Sequence, residues 1–483
     1  MKIIKNKFSI KNFVLEIFVV SLLIIFALIL RVYKVNTTPG FEWDEPVYSF
    51  IQTHYSDYGY PSMIVEGSKI QEPYLYHPPF DFYFRNSIFR IIGQNGIYTS
   101  RLISVFASII CLYFVYYLFR EVENIKASVI SLIFMVTDGW LIYTNRLNLI
   151  ENVMLLIGVL SIATYLYAIK KGHKFYFVIA GILLGFTAIY KHTGIYFLVI
   201  PLFYLFFTKR HSRNHWILYF SSVIVFATYI VVMYLKWGNL YIDQTLVQIY
   251  RTLGIYGSRG LEYSITDALN ALVKTYWIYI STIITLFAGT VLVIKNTLKY
   301  LITKVTPDNP LLLSWSLATM LFLISISLKA PQYLIMLLIP FYVYLSIEII
   351  PSMINRNHKK LLFSVLSAML LFNTFTFYMR FIRPNDNALL DTFSYVNNTI
   401  SKDATILTEE SIGAGIDQIY YKLDLHNSRE EIEKIKPDYI ITYISSTQKI
   451  PKSDYLNLLI SKSTLDKKII GFKETITIYK ILN

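Results

Sequence analysis

The chain has 483 residues, of which 55% are hydrophobic, and its mean hydropathy of +0.48 excludes a soluble globular protein. The formal net charge of +14 would suit a nucleic-acid partner, but the lysines and arginines lie in short loops between apolar stretches and form no basic face or tail. We therefore expect no nucleic-acid partner. The single cysteine, Cys111, excludes a disulfide framework and a cysteine-based metal site.

Apolar stretches long enough to cross a bilayer recur from Phe13 to about Phe381. Residues 1–12 are basic and precede the first stretch without a cleavage site, which indicates a signal anchor. Lysines and arginines occupy alternate loops, and the positive-inside rule places these loops and the N-terminus in the cytoplasm. The sequence thus predicts an α-helical polytopic membrane protein with eleven spans, at about 13–33, 98–119, 126–144, 148–169, 175–190, 193–208, 216–235, 271–294, 311–328, 332–350 and 361–380.

The first outer loop, residues 34–97, is too long for a simple connector. Asp44-Glu45-Pro46 predicts the start of a helix with Asp44 as its N-cap, and apolar residues follow at helical spacing. His77-Pro78-Pro79 then breaks the chain before a second amphipathic run. We expect both helices to lie along the membrane surface, where they would hold the acidic stretch against the lipid.

Two domains are predicted, a membrane-embedded domain over 1–383 and a small α/β domain over 384–483 outside the cytoplasm. The second domain shows short β-type runs at Ala404–Leu407, Tyr439–Ile444 and Thr475–Ile481, and a helical charge pattern at Ser428–Lys436. The loop 236–270, which contains Arg251, has the composition of a mobile substrate-facing loop.

Candidate functional residues collect on the predicted outer face: Asp44, Glu45, His77, Arg146, Glu151, Lys191, His192 and Lys329. A carboxylate near lipid has a raised proton affinity, so Asp44 or Glu45 suits a catalytic base. The alternative is that Asp44 only caps its helix. His77 could bind a divalent metal with Glu42, Asp44 or Glu45, but the spacing matches no compact metal motif, and a hydrogen-bonding loop residue is the preferred interpretation.

Three further cations border the membrane on the outer side. Arg146 would bind phosphate or a carboxylate with Glu151 as its orienting partner, or the two would form a structural ion pair that closes a turn. Lys191, beside His192, would bind the phosphate of a lipid-linked substrate or would extend to the headgroups. Lys329 repeats that arrangement at a later turn.

Taken together, these residues resemble the dolichyl-phosphate-mannose protein mannosyltransferases (glycosyltransferase family 39) and the wider C-type glycosyltransferase superfamily that includes aminoarabinose transferases. Four elements between about residues 30 and 350 carry the resemblance: Asp44-Glu45, His77-Pro78-Pro79, Arg146 followed by Glu151, and Lys191-His192-Thr193-Gly194. The sequence departs from the family at Glu151, where Asp is usual, and at Gln332, where related enzymes often have Arg.

The resemblance implies the C-type glycosyltransferase fold and a plasma-membrane enzyme that transfers one sugar, with inversion, from a polyprenyl-phosphate or dolichyl-phosphate donor at the outer face. It also implies Asp44 as the base, with Arg146 and Lys191 holding phosphate or acceptor. The acceptor is left open between a protein, a lipid and a glycan, so aminoarabinose-type modification of a lipid or envelope glycan is the enzyme alternative. A transporter or flippase would predict inverted repeats and charges near the bilayer midplane, which the sequence lacks. A catalytically inactive scaffold that presents the C-terminal domain is the third alternative.

Overall fold

The computed structural model describes residues 10–40, 44–68, 70–94, 96–122, 125–209, 212–253, 279–326, 331–355, 359–382, 387–423, 425–426, 428–445, 453–471 and 474–482. A helical part comes first and an α/β domain follows it, as the sequence predicts. The helical part shares one large apolar core that includes Trp315, Tyr342 and Phe119. The candidate residues Glu42 and Lys329 lie outside the described residues, as does the stretch 254–278.

Five of the described helices are long and apolar enough to cross a bilayer. They are α1 (Ile10–Val32), α4 (Ile97–Val122), α7 (Ile150–Lys171), α10 (Arg213–Trp237) and α12 (Ile280–Thr303). Shorter helices complete this part: α8 (Lys174–Tyr190), a 3₁₀ helix (His192–Leu198), α9 (Val199–Thr208), α13 (Pro310–Ser325), a 3₁₀ turn (Pro331–Leu334), α14 (Ile335–Asn355), α15 (Lys359–Phe377) and a π turn (Tyr378–Ile382). The chain is a multi-pass membrane protein, and eleven spans remain a prediction.

One predicted span, 126–144, is not a continuous helix. It is divided into α5 (Ile125–Thr137) and α6 (Gly139–Asn145), which meet at an angle of 64°. Asp138 at the break accepts a hydrogen bond from the backbone N–H of Leu141 at 2.7 Å and caps α6. Arg31 donates to the carbonyl oxygens of Val136 and Met135, which the break leaves without helical partners. Side chains therefore satisfy the backbone that the bend exposes.

The first outer loop contains both predicted helices, α2 (Asp44–Tyr58) and α3 (Phe80–Ile92). Between them lies an antiparallel hairpin that the sequence did not indicate, formed by β1 (Ser62–Ile64) and β2 (Gln71–Pro73). The loop 236–270 also differs from the prediction, because residues 239–253 form an amphipathic helix, α11 (Asn239–Leu253). Gln244 of α11 accepts from the N–H of Leu75 at 2.7 Å and donates to the carbonyl of Pro73 at 3.0 Å, which ties α11 to the segment before His77.

The C-terminal domain is built on a five-stranded sheet in the order β4-β3-β5-β7-β6. The predicted strands are confirmed as β3 (Thr405–Thr408), β5 (Tyr439–Ser445) and β7 (Glu474–Lys480), and β4 (Ile419–Lys422) and β6 (Thr464–Ile470) are additional. β3 pairs in parallel with β4 and β5, whereas β7 is antiparallel to β5 and β6. The helices are α16 (Ala388–Thr399), α17 (Glu410–Gly413), α18 (Arg429–Ile435) and α19 (Asp454–Ser461). The predicted helical pattern forms α18, which begins with a capping box between Ser428 and Glu431.

This domain contacts the first outer loop. Glu66 accepts from the backbone N–H of Lys422 at 2.6 Å, and His426 Nε2 lies 2.8 Å from Glu66 Oε1. Gly67 has a φ of +74°, which favours glycine, and a Cβ there would lie 2.7 Å from the ring of Tyr421. α17, which follows the carboxyl end of β3, packs against α2. The C-terminal domain therefore lies over the helix that begins with Asp44.

Candidate active site

Asp44 is the first residue of α2 and is partly exposed. Within the described part of the chain, no donor forms a hydrogen bond with its carboxylate, so the predicted N-cap bond is not present there. Burial raises the pKa of Asp44 to about 6, and the positive charge of Lys191 acts in the opposite direction. Asp44 is thus an open carboxylate that is ionised at neutral pH and has an unusually high proton affinity.

Glu45, the neighbouring residue, lies in a different environment. Its side chain is fully buried and its two oxygens face the guanidinium of Arg101, with 2.9 Å between Oε1 and Nε. The backbone N–H of Asn148 donates to the same Oε1 at 2.6 Å. Arg101 also donates to the carbonyl oxygens of Val35 and Pro39. Glu45 therefore joins α2 to α4 and to the turn before α7, and both of its oxygens are occupied.

Lys191 and Glu151 form a buried ion pair, with 2.7 Å between Nζ and Oε1. Lys191 follows the last residue of α8, where the backbone becomes extended, and its Nζ lies 5.7 Å from the centre of the Tyr333 ring. Glu151 is in the first turn of α7, and its second oxygen, Oε2, is buried without a hydrogen-bond partner among the described residues. Glu151 Oε2 can therefore still accept a hydrogen bond.

Arg146 is not the partner of Glu151, so the predicted pairing of these two residues is wrong. The Arg146 guanidinium is fully buried and donates to the carbonyl oxygens of Thr38 at 3.0 Å and of Leu30 at 2.8 Å, and also to that of Tyr33. These oxygens belong to the end of α1 and the chain that follows it. Arg146 thus fixes the entry into the first outer loop with its own donors.

His77 and His192 are brought near the Lys191 ammonium. His77 Nε2 lies 3.1 Å from the hydroxyl of Tyr48, which is one helical turn after Asp44 on α2. Burial, together with the charges of Lys191 and His192, lowers the pKa of His77 well below its usual value, so the ring is neutral. His77 Nδ1 and His192 Nε2 are buried and have no hydrogen-bond partner in the described ranges. The two rings therefore present unfilled hydrogen-bonding atoms.

Two charged residues that sequence reasoning did not assign to the site also act on Asp44. Arg251 of α11 counteracts the rise in its pKa, and Glu410 of the C-terminal domain adds to it. Arg251 lies two helical turns after Gln244 and so shares the helix face that contacts residues 73–75. No sequence spacing links either residue to Asp44, because each comes from a segment far along the chain.

The sequence left open a metal site with His77 and nearby acidic residues as ligands. Among the residues that the structure describes, no group of three or more His, Cys, Asp or Glu side chains could hold a metal ion. Glu42, one of the considered ligands, is outside those residues. The described part of the site consists of hydrogen-bonding and charged groups around the Lys191–Glu151 ion pair.

Several residues of this site lie in a segment that matches a known protein family. The family model "Dolichyl-phosphate-mannose-protein mannosyltransferase" matches residues 76–235, which include His77, Arg146, Glu151, Lys191 and His192. No curated protein sequence matches the chain.

Solved structures match over almost the whole chain. One is the archaeal oligosaccharyltransferase AglB from Archaeoglobus fulgidus in complex with an inhibitory peptide and a dolichol-phosphate, with 14% identity and a TM-score of 0.59 over 90% of this chain and 70% of that one. Another is ArnT from Cupriavidus metallidurans bound to undecaprenyl phosphate, with 10% identity and a TM-score of 0.60 over 98% of each chain. The arabinofuranosyltransferase AftD from Mycobacteria has 10% identity and a TM-score of 0.54, over 99% of this chain and 40% of that chain.

The chain has the fold of the C-type membrane glycosyltransferases. The resemblance predicted from the four sequence elements is confirmed by the mannosyltransferase family model over residues 76–235 and by the similar folds. In the sequence, the family is indicated by elements that lie far apart, and the fold brings residues from all four, Asp44, His77, Glu151 and Lys191, close together.

Proposed function

We propose that this C-type glycosyltransferase moves a single sugar from a polyprenyl-phosphate donor to an acceptor, with inversion at the anomeric carbon and Asp44 as the base. The observation that carries the proposal is the difference between the two acidic neighbours: Asp44 is open, whereas Glu45 is occupied by Arg101. An inverting displacement needs one base and no covalent nucleophile, and the open groups of the site offer one partly exposed carboxylate for that purpose.

The proposed step has a simple balance of atoms. The acceptor hydroxyl gives its proton to the Asp44 carboxylate while its oxygen forms a bond to the anomeric carbon of the sugar. The bond between that carbon and the phosphate oxygen breaks, and polyprenyl phosphate leaves with the electron pair. The Lys191 ammonium would stabilise the negative charge that grows on the leaving phosphate.

The unfilled atoms suit the rest of the donor. Glu151 Oε2 can accept a hydrogen bond, and His77 Nδ1 and His192 Nε2 can each donate or accept according to the tautomer. Buried polar atoms without partners are rare in folded proteins, which favours a ligand that completes them. Sugar hydroxyls and phosphate oxygens together offer the donors and acceptors that these atoms lack.

Two solved structures with similar folds support a polyprenyl-phosphate donor. The ArnT structure is described as bound to undecaprenyl phosphate and the AglB structure as a complex with a dolichol-phosphate. By analogy, we propose a polyprenyl chain in the lipid and a phosphate near Lys191. We propose a plasma-membrane location, and the positive-inside pattern supports a cytoplasmic N-terminus, so that the site and the C-terminal domain face outward.

The test is transfer of radiolabelled sugar from polyprenyl-phosphate donors in membranes that contain the full chain. Asp44→Asn should lower transfer by about 100-fold or more, since general base catalysis contributes about that much. The matched control is Asp454→Asn, because Asp454 is also the first residue of a helix but lies in the C-terminal domain. This control should leave transfer unchanged.

The other outcomes separate the alternatives. Equal transfer by wild type and Asp44→Asn would contradict Asp44 as base. Label in a protease-sensitive product would indicate a protein acceptor, whereas label in extracted lipid or envelope glycan would indicate aminoarabinose-type modification. Absence of transfer by wild type with every donor tested would contradict the enzyme and favour a transporter or flippase.

A further inference from the structure

A second ion pair lies on α3, directly after the His77-Pro78-Pro79 break, and the proposed chemistry does not use it. Asp81 and Arg85 are one helical turn apart, with 2.8 Å between Oδ2 and Nε, and both side chains have no exposed surface. Burial of an ion pair is expensive, and apolar side chains of the same volume often stabilise a protein as well or better. The pair therefore calls for an explanation other than stability.

Asp81 holds the end of α8. Its Oδ1 accepts a hydrogen bond from the hydroxyl of Tyr190 at 2.8 Å. Tyr190 is the last residue of α8, and Lys191 follows it with extended backbone angles of φ −148° and ψ 135°. Because Tyr190 and Lys191 are adjacent at the point where the helix stops, the bond to Asp81 fixes the direction in which the lysine leaves the helix.

Arg85 holds the beginning of α7. Its Nη2 donates to the carbonyl oxygen of Leu149 at 3.2 Å, and its Nη1 donates to that of Ser100 at 2.6 Å. Leu149 is the N-cap of α7, and Glu151 lies in the first turn of that helix. The Asp81–Arg85 pair on α3 is therefore hydrogen-bonded to both segments that carry the other ion pair, Lys191 and Glu151.

The same network reaches α2. Gln52 Nε2 donates to Asp81 Oδ2 at 3.4 Å, and Gln52 Oε1 accepts from Asn148 Nδ2 at 3.1 Å and from the hydroxyl of Ser100 at 2.7 Å. Gln52 is about two helical turns after Asp44. The segments that carry Asp44, Lys191 and Glu151 are thus all hydrogen-bonded to one network of buried polar groups.

We propose that Asp81 and Arg85 are positioning residues that set the Lys191 ammonium relative to Asp44, so that a phosphate bound to the cation lies within reach of the base. This inference rests on the proposed function, because it assigns Lys191 to a phosphate. Neither residue would touch the ligand. Their effect would pass through Tyr190 on one side and Leu149 on the other.

The test uses Tyr190→Phe, which removes only the hydroxyl that bonds Asp81. The matched control is Tyr165→Phe, because Tyr165 is a buried tyrosine of α7 whose hydroxyl has no hydrogen-bond partner among the described residues. The full chain in lipid nanodiscs would be titrated with undecaprenyl phosphate and, separately, with undecaprenol, which has no phosphate. Thermal unfolding of the same samples reports on the fold.

We expect Tyr190→Phe to weaken undecaprenyl phosphate binding by about tenfold, the scale of one charge-assisted hydrogen bond. Undecaprenol binding should be unchanged. The unfolding midpoint of Tyr190→Phe should fall below that of Tyr165→Phe, because Asp81 Oδ1 loses a buried donor, but it should stay above the temperature of the titration. Unchanged phosphate affinity in Tyr190→Phe would overturn the inference, as would an equal loss for both lipids. Failure of the wild type to bind undecaprenyl phosphate would contradict the proposed function itself and is visible without any variant.

Discussion

The first outer loop contributes to two kinds of charged site. Glu45 with Arg101 and Asp81 with Arg85 are closed, because every carboxylate oxygen has a protein donor. Asp44, together with the Lys191–Glu151 pair, is open, because acceptor atoms there have no protein partner among the described residues. The closed sites join elements of the fold, and the open site has an acceptor atom that the proposed ligand would fill.

The contrast is sharpest between Asp44 and Glu45, which are adjacent in the chain. Successive side chains on a helix point about 100° apart, so the two carboxylates leave α2 in different directions. Glu45 accepts hydrogen bonds from Arg101 of α4 and from Asn148 in the turn before α7. Asp44 lies where the charge of Lys191 acts on it. Identical charge and neighbouring position therefore do not give the two residues the same role.

The largest effect is expected when a closed site is broken. Glu45→Gln would leave the Arg101 guanidinium buried without its counter-charge, which costs about 3–5 kcal/mol of the free energy of unfolding. Denaturation of the full chain in detergent would show a strongly lowered unfolding midpoint. Glu433→Gln is the control, because Glu433 forms an exposed ion pair with Arg429 and its loss should leave the midpoint unchanged.

A smaller effect of opposite sign is expected at the open carboxylate. The folded state raises the pKa of Asp44 from 3.8 to about 6, so ionisation disfavours the folded state and the penalty is complete above about pH 6. Asp44→Asn should therefore stabilise the protein at pH 8, by up to about 3 kcal/mol at 1.36 kcal/mol per pKa unit.

This stabilisation should decrease as the pH falls from about 6 and should vanish below about pH 4, where wild-type Asp44 is protonated in both states. Unfolding midpoints of both proteins across this range measure it. A lower midpoint for Asp44→Asn at pH 8 would show that Asp44 is a structural cap and would remove the contrast with Glu45.

The third effect concerns the cation of the open site. Lys191→Met should weaken undecaprenyl phosphate binding by about 10- to 100-fold, the equivalent of a charged hydrogen bond of about 1.5–3 kcal/mol. Lys236→Met is the control, because Lys236 lies in the last turn of α10. An equal loss of affinity for undecaprenol would show that Lys191 supports the fold and does not bind phosphate.

Much of the fold is predictable because long apolar runs have few alternatives to a helix in a membrane. The bend at Asp138 is less visible, because a hydropathy average over a span hides one polar residue followed by Gly139. The hairpin between α2 and α3 is also missed, since each strand has only three residues. Such short strands carry no alternation that could be recognised.

The sequence did not indicate which side chains the predicted site residues contact. Arg146 is the nearest cation to Glu151 in sequence, yet it lies before α7 begins and turns toward the end of α1. The true partner, Lys191, is 40 residues away and comes from the end of α8. By contrast, the spacing of Asp81 and Arg85 is that of a helical ion pair and could have been read from the sequence.

The central claim, that the open carboxylate of Asp44 is the base, is tested most directly by the pH dependence of sugar transfer. A base must be ionised, so kcat/KM of the wild type should fall as the pH decreases, with half of the maximum near pH 6, the pKa of Asp44. The residual activity of Asp44→Asn should lack this limb. A wild-type rate that stays constant well below pH 6, or an unchanged limb in Asp44→Asn, would contradict the account.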